Sequence, residues 1–140
     1  MSSQYTAVAT ATGENRAGGR TFTDDGLLDV TLQVPKELGG PGGGTNPEQL
    51  FAVGWSSCFL GALKLVAAQR KLPVKDLAVV AEITLNADGG EFNLSAVLHV
   101  EASGIDEETA VELGQAAHQV CPYSKAVAGN IPVTIDATVA

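Results

Sequence analysis

The chain has 140 residues, 45% of them hydrophobic, enough to build a core within a single domain spanning residues 1–140. Eight Lys and Arg stand against sixteen Asp and Glu, a formal charge of −8, which works against binding nucleic acid or an anionic membrane surface. The expected partner is therefore a small molecule.

The opening residues lack the basic segment followed by an unbroken apolar stretch that marks a secretory signal, and the expected location is the cytoplasm. Only two cysteines are present. A lone structural disulfide is a poor staple in a reducing compartment, so the two are either buried thiols or redox-active ones.

Tyr5 to Thr12, rich in Thr, Val and Ala, reads as a strand that enters a glycine-bearing turn from Gly13 to Gly19. Leu28, Val30, Leu32 and Val34 alternate with Asp29, Thr31 and Gln33, the pattern of a half-buried strand. Gly39-Gly40-Pro41-Gly42-Gly43-Gly44 holds no regular structure. It also lacks the endings of a phosphate loop or a dinucleotide loop, and reads as a connector.

Next, Asn46 can cap a helix, Pro47 suits its first position, and Glu48 favours the positive end of its dipole. The helix can run to about Lys71 before Pro73 stops it, roughly 36 Å. Leu50 to Ala68 is almost continuously apolar, but Ser56, Ser57 and Lys64 interrupt it, and a membrane-spanning helix would leave the strands elsewhere without a packing partner. The helix is read as the central element of the fold. Gly54, Cys58 and Gly61, spaced by four and three, give it a face small enough for another backbone to approach.

Val79, Ala81, Ile83 and Leu85, then Phe92, Leu94, Ala96, Leu98 and Val100, form a hairpin turned at Asp88-Gly89-Gly90. Asp106 caps a second helix whose buried stripe is Ala110, Leu113, Gly114, Ala117 and Val120. Pro122 pushes Cys121 out of helical geometry. Ser124 is placed to cap a last short turn that Gly129 closes, and Ile131, Val133, Ile135 and Ala137 alternate as a final strand. The order of two strands, long helix, two strands, helix and strand predicts an α+β fold with mostly antiparallel sheet.

Cys58 sits among Trp55, Phe59 and Leu60, where burial raises a thiol's pKa. It is then either a small hydrophobe or a nucleophile that needs a cation. Arg16 and Arg20, in the turn region after the first strand, are the candidates: an arginine stays charged when buried and can donate to a departing peroxide oxygen. Cys121 lies at a helix end, where local motion is easier. If the two thiols meet, a sulfenic acid on Cys58 would be resolved by Cys121. Glu48 either holds an arginine or only complements the helix dipole. Ten positions, about 15 Å along a straight helix, separate it from Cys58.

A metal site is not expected, because His118 with Cys121 makes only half of one and His99 shares its strand face with polar residues. No GxSxG elbow is present. Two further classes stay open: a thiol hydrolase with Cys58 as acyl nucleophile and His118 as base, and a noncatalytic ligand-binding module.

Gly44-Thr45-Asn46-Pro47-Glu48-Gln49-Leu50-Phe51-Ala52, Ser57-Cys58-Phe59 and Val120-Cys121-Pro122-Tyr123-Ser124 resemble the organic hydroperoxide resistance (Ohr) proteins of the OsmC superfamily, nearly from end to end. The resemblance implies an OsmC-like fold of antiparallel sheets packed around a long central helix, in an intertwined homodimer with sites at the subunit interface. It implies a thiol peroxidase acting on alkyl and fatty-acid hydroperoxides, with Cys58 peroxidatic and Cys121 resolving through a Cys58–Cys121 disulfide. No bound cofactor is implied; the reductant is an external dithiol of the dihydrolipoyl type, often on a lipoylated protein. Glu48 falls on the family's arginine-binding glutamate. The catalytic arginine, which follows a Thr-Gly-Gly motif in the family, is Arg16 or else Arg20, because Thr12-Gly13-Glu14-Asn15-Arg16 carries one additional residue. Trp55, which replaces the usual Tyr, together with Phe22 and Phe59, would line an apolar substrate pocket.

Overall fold

A computed structural model describes residues 1–140. The chain divides into two compact units, Met1–Leu50 and Phe51–Ala140.

The first unit is a three-stranded antiparallel sheet, β1 (Ala9–Thr12), β2 (Arg20–Thr23) and β3 (Asp29–Thr31), in that order. It contains a strand that sequence periodicity missed. Arg20-Thr21-Phe22-Thr23 is too short, and too close to Gly18-Gly19, to show an alternation, but its backbone pairs with both neighbours. The first strand begins at Ala9 rather than Tyr5 because pairing with β2 starts there. The strand expected over 28–34 is shortened to β3; beyond it Leu32 is buried and forms an isolated parallel bridge with Thr45.

The long helix α1 spans Pro47–Gln69. Its start is as expected: Asn46 is buried, and its Oδ1 accepts from the Gln49 N–H at 2.8 Å, satisfying one of the orphan amides of the first turn. By length and composition α1 could cross a bilayer. Here Trp55, Phe59, Leu63 and Val66 instead enter a hydrophobic core, each fully buried side chain stabilising the fold by roughly 1.5–3 kcal/mol.

The second unit pairs β4 (Lys75–Asp88) with β5 (Glu91–Ser103) as the expected hairpin. Gly89 and Gly90 both have positive φ, 57° and 88°, the turn conformation that suits the twist of two strands joined by two residues. The helix α2 (Glu107–Val120) follows, capped by Asp106, whose carboxylate accepts from the Thr109 N–H. A second short helix, α3 (Pro122–Val127), leads to the edge strand β6 (Val133–Val139). The strand β6 runs parallel to β5. The expectation of antiparallel pairing is corrected at this edge: a return through two helices brings the chain back in the same direction, as a parallel pair requires.

Ala96, Leu98, Val100 and Ala102 occupy one face of β5, and they share a core with α1 and with Ala110, Leu113 and Ala117 of α2. Val120, expected in that stripe, is 40% exposed, because the helix ends there and the chain turns away. Gly114 lets α2 approach the sheet: an added Cβ would lie 2.8 Å from Ile135 Cγ2 and 3.3 Å from Val100 Cγ2. Gly114→Ala gains about 1 kcal/mol of helix propensity but overpacks a β-branched contact at a typical cost of about 1–3 kcal/mol. Its expected net effect is a lower melting temperature, checked by calorimetry; an unchanged or higher value would mean that Ile135 yields freely.

Candidate active site

In the first unit the turn between β1 and β2 contains a 3-10 segment, Asn15–Ala17, and it carries Arg16. The guanidinium forks onto Glu48, Nη1 donating to Oε2 and Nη2 to Oε1, each at 2.8 Å. This two-point geometry is the strong form of an ion pair. It holds the Glu48 carboxyl below its ordinary pKa, chiefly through the hydrogen bonds from Arg16 and against the effect of burial. The Arg16 guanidinium is shifted further upward by the same contact. Glu48 is therefore an arginine partner and not only a complement to the helix dipole.

Arg20 has a different partner. It lies on β2 rather than in the turn, and its Nε and Nη2 donate to Asp29 at 2.7 and 2.6 Å. Phe22 is opposite Asp29 in the β2–β3 register, and the Arg20 guanidinium sits 4.2 Å from the Phe22 ring centre. Period-two alternation puts all three on one sheet face, where Arg20 is committed to its own sheet.

In the second unit Cys58 of α1 and Cys121, the residue between α2 and α3, meet. Their sulfurs are 3.5 Å apart, with Cys121 donating, well beyond the roughly 2.05 Å of a disulfide bond, and both are free thiols. Cys121 has extended backbone, φ −64° and ψ 123°, as Pro122 dictates. It is fully buried, while Cys58 is partly exposed. The Cys58 pKa is raised, first by burial and then by the neighbouring Cys121 thiol; the Tyr123 backbone N–H opposes this by donating toward the sulfur.

Trp55 and Phe59 are fully buried core residues, so of the three aromatic residues expected to line a pocket only Phe22 keeps solvent-facing surface. Ser124 is not a cap. It lies inside α3, buried, and its Oγ accepts from Trp55 Nε1 at 3.1 Å, a partnership that no spacing rule in the sequence signals across 69 residues. Gly54 faces the Tyr123 ring, whose hydroxyl would be 2.8 Å from an added Cβ, whereas Gly61 has open space beside it. The small-residue face thus admits a side chain at one end and nothing from this chain at the other. His118 has Nδ1 buried without a hydrogen-bond partner, and burial lowers its pKa; that nitrogen is not paired with Cys58. His99, expected to be solvated, instead contacts Asp136 through Nδ1 and Thr138 through Nε2.

The family model described as OsmC-like protein matches residues 40–136. An organic hydroperoxide resistance protein of Xanthomonas axonopodis pv. citri is 47% identical, covering 94% of this chain and 92% of the relative. The organic hydroperoxide resistance protein OhrB of Bacillus subtilis is 42% identical, with 94% and 96% covered. The crystal structure of an organic hydroperoxide resistance protein from Legionella pneumophila superposes with a TM-score of 0.91 at 41% identity, covering 99% of this chain and 100% of that one. The chain belongs to the OsmC-like family, and within it to the organic hydroperoxide resistance proteins.

Because the folded pKa of Glu48 is depressed, its contribution to stability is present above the unfolded carboxylate range and is lost as pH falls through the lowered folded value. Glu48→Gln should cost about 1 kcal/mol at neutral pH, and the gap to the wild type should close on acidification. Urea unfolding at a series of pH values checks this; a gap independent of pH would mean that the ion pair contributes nothing.

Proposed function

We propose that the chain is a thiol peroxidase that reduces organic hydroperoxides, alkyl and fatty-acid, to alcohols. The Cys58 thiolate attacks the terminal peroxide oxygen. The O–O bond breaks, Cys58 becomes a sulfenic acid, and the departing alkoxide takes a proton to become the alcohol. The Cys121 thiol then attacks the sulfenic sulfur, forming the Cys58–Cys121 disulfide and releasing water. A dihydrolipoyl-type dithiol, free or on a lipoylated protein, reduces that disulfide by exchange and is itself oxidised to the cyclic disulfide. No bound cofactor takes part.

The observation that carries this reading is the pair of free thiols 3.5 Å apart in a chain of the organic hydroperoxide resistance group. Two thiols in contact favour disulfide chemistry over acyl transfer, which needs one sulfur and a base. Burial opposes ionisation of Cys58, so the mechanism requires a cation. Arg16, charged at any working pH and oriented by Glu48, is assigned that role in preference to Arg20, which Asp29 and Phe22 engage. Phe22 offers apolar surface to the substrate, while Trp55 and Phe59 form part of the rigid core against which Cys58 packs.

The working form in this proposal is an intertwined homodimer in the cytoplasm, with its sites at the subunit interface. The open side of α1 supports it: Val53 and Leu65 are exposed and Gly61 has no neighbour there, apolar surface that a second copy would cover. Nucleic acid and membrane are not partners, in keeping with the charge of −8.

Cys58→Ser should abolish consumption of cumene hydroperoxide, whereas Cys121→Ser should permit one oxidation of Cys58 and then overoxidation, read by mass spectrometry. Full turnover in the Cys58→Ser protein would end the proposal. Arg16→Ala should move the midpoint of thiolate absorbance to higher pH and slow peroxide reduction at neutral pH, with Arg20→Ala close to wild type. The reverse ranking would transfer the role to Arg20.

A further inference from the structure

The helix α3 has six residues and no side-chain cap at its N-terminus, too little to be stable alone. Cys121 is tied to it directly, since the Cys121 carbonyl accepts from the Lys125 N–H at 2.9 Å. A shift of α3 is therefore transmitted to the Cys121 backbone, which α2 also holds through the Cys121 N–H donating to the Ala117 carbonyl at 2.9 Å. Three contacts join α1 to α3 and to the residue that precedes it, in order along α1: Gly54 against the Tyr123 ring, Trp55 Nε1 to Ser124 Oγ, and Cys58 Sγ to Cys121 Sγ.

The middle contact is the directional one. Trp55 and Ser124 are 0% and 1% exposed, so water cannot replace either partner, and a buried donor or acceptor left unpaired is costly. Phe51 packs edge-on against both Trp55 and Tyr123, with ring centres at 5.5 and 6.4 Å, which limits how the indole can turn. The Gly54 contact, by contrast, is with a tyrosine 42% exposed, whose ring can swing outward.

We propose that Trp55 is a positioning residue: its indole N–H holds Ser124, and through α3 it sets the effective concentration of the Cys121 thiol at Cys58. Disulfide formation requires the sulfurs to close from 3.5 Å to about 2.05 Å. The anchored helix makes that a small local movement rather than a search. The significance for turnover rests on the peroxidase reading, but the closure can be measured without peroxide.

The wild type, Trp55→Phe, Ser124→Ala and the double variant are equilibrated as full-length protein in glutathione redox buffers. There the Cys58 and Cys121 thiols and one glutathione disulfide give the protein disulfide and two glutathione thiols. Trapped species are counted by mass spectrometry, with thermal unfolding measured alongside. Each single variant should lower the equilibrium constant for disulfide formation by about tenfold, in line with the loss of one buried hydrogen bond. The double variant should fall little further, because both changes remove the same bond. Ser124→Ala deletes only a hydroxyl and keeps the test open if Trp55→Phe fails to fold. Wild-type equilibrium constants in the variants, with melting temperature alone reduced, would overturn the proposal and leave Trp55 as core filling. A wild type that closes its disulfide in glutathione but ignores organic hydroperoxides would instead sink the peroxidase reading and leave this one standing.

Discussion

The contact between α1 and α3 is the constraint on which the proposed chemistry depends. Cys58 lies in an apolar helix, and the thiol that meets it, Cys121, immediately precedes a helix too short to hold itself in place. Its seat is built from a glycine that admits a tyrosine ring, an indole that donates to a buried hydroxyl, and two sulfurs in van der Waals contact. Pro122 contributes by denying Cys121 a helical conformation, which turns its side chain out of the α2 stripe and toward Cys58.

Charge is organised differently. The polar pair of the first unit, Arg16 with Glu48, is bidentate and part-buried, and its two members strengthen each other's charged state. The second unit carries a thiol whose surroundings favour the neutral form. The proposed reaction calls on both, a guanidinium whose charge does not depend on pH and a sulfur that must ionise. The cationic half is prepared in advance, so the ionisation that matters is confined to one atom. The contrast with Arg20 shows how specific this is: the same side chain four residues later is spent on a cross-strand carboxylate and an aromatic face.

Much of the local structure was legible without coordinates. The Asn46-Pro47-Glu48 helix start, the Asp106 cap, the Gly89-Gly90 turn and the break at Cys121-Pro122 are each decided within a few residues by hydrogen-bonding side chains and restricted φ. The misses share a cause. The strand β2 shows no period because four residues are too few, and its existence depends on pairing with Ala9–Thr12 and Asp29–Thr31. The parallel direction of β6 follows from where α2 and α3 return the chain. Ser124 looked like a cap because its type favours caps; a tryptophan 69 residues earlier makes it a buried acceptor instead.

By itself, the sequence determined most of the elements, the two candidate cysteines, the glutamate at the helix start and, through its motifs, the family. Tertiary structure alone decided that Cys58 and Cys121 touch, that Glu48 is paired with Arg16, and that Trp55 and Phe59 are fully buried. The reason is one of range. Caps, turns and periodicity are set by neighbours a few bonds away, whereas a sulfur–sulfur distance across 63 residues is set by how whole helices pack, which no local pattern encodes.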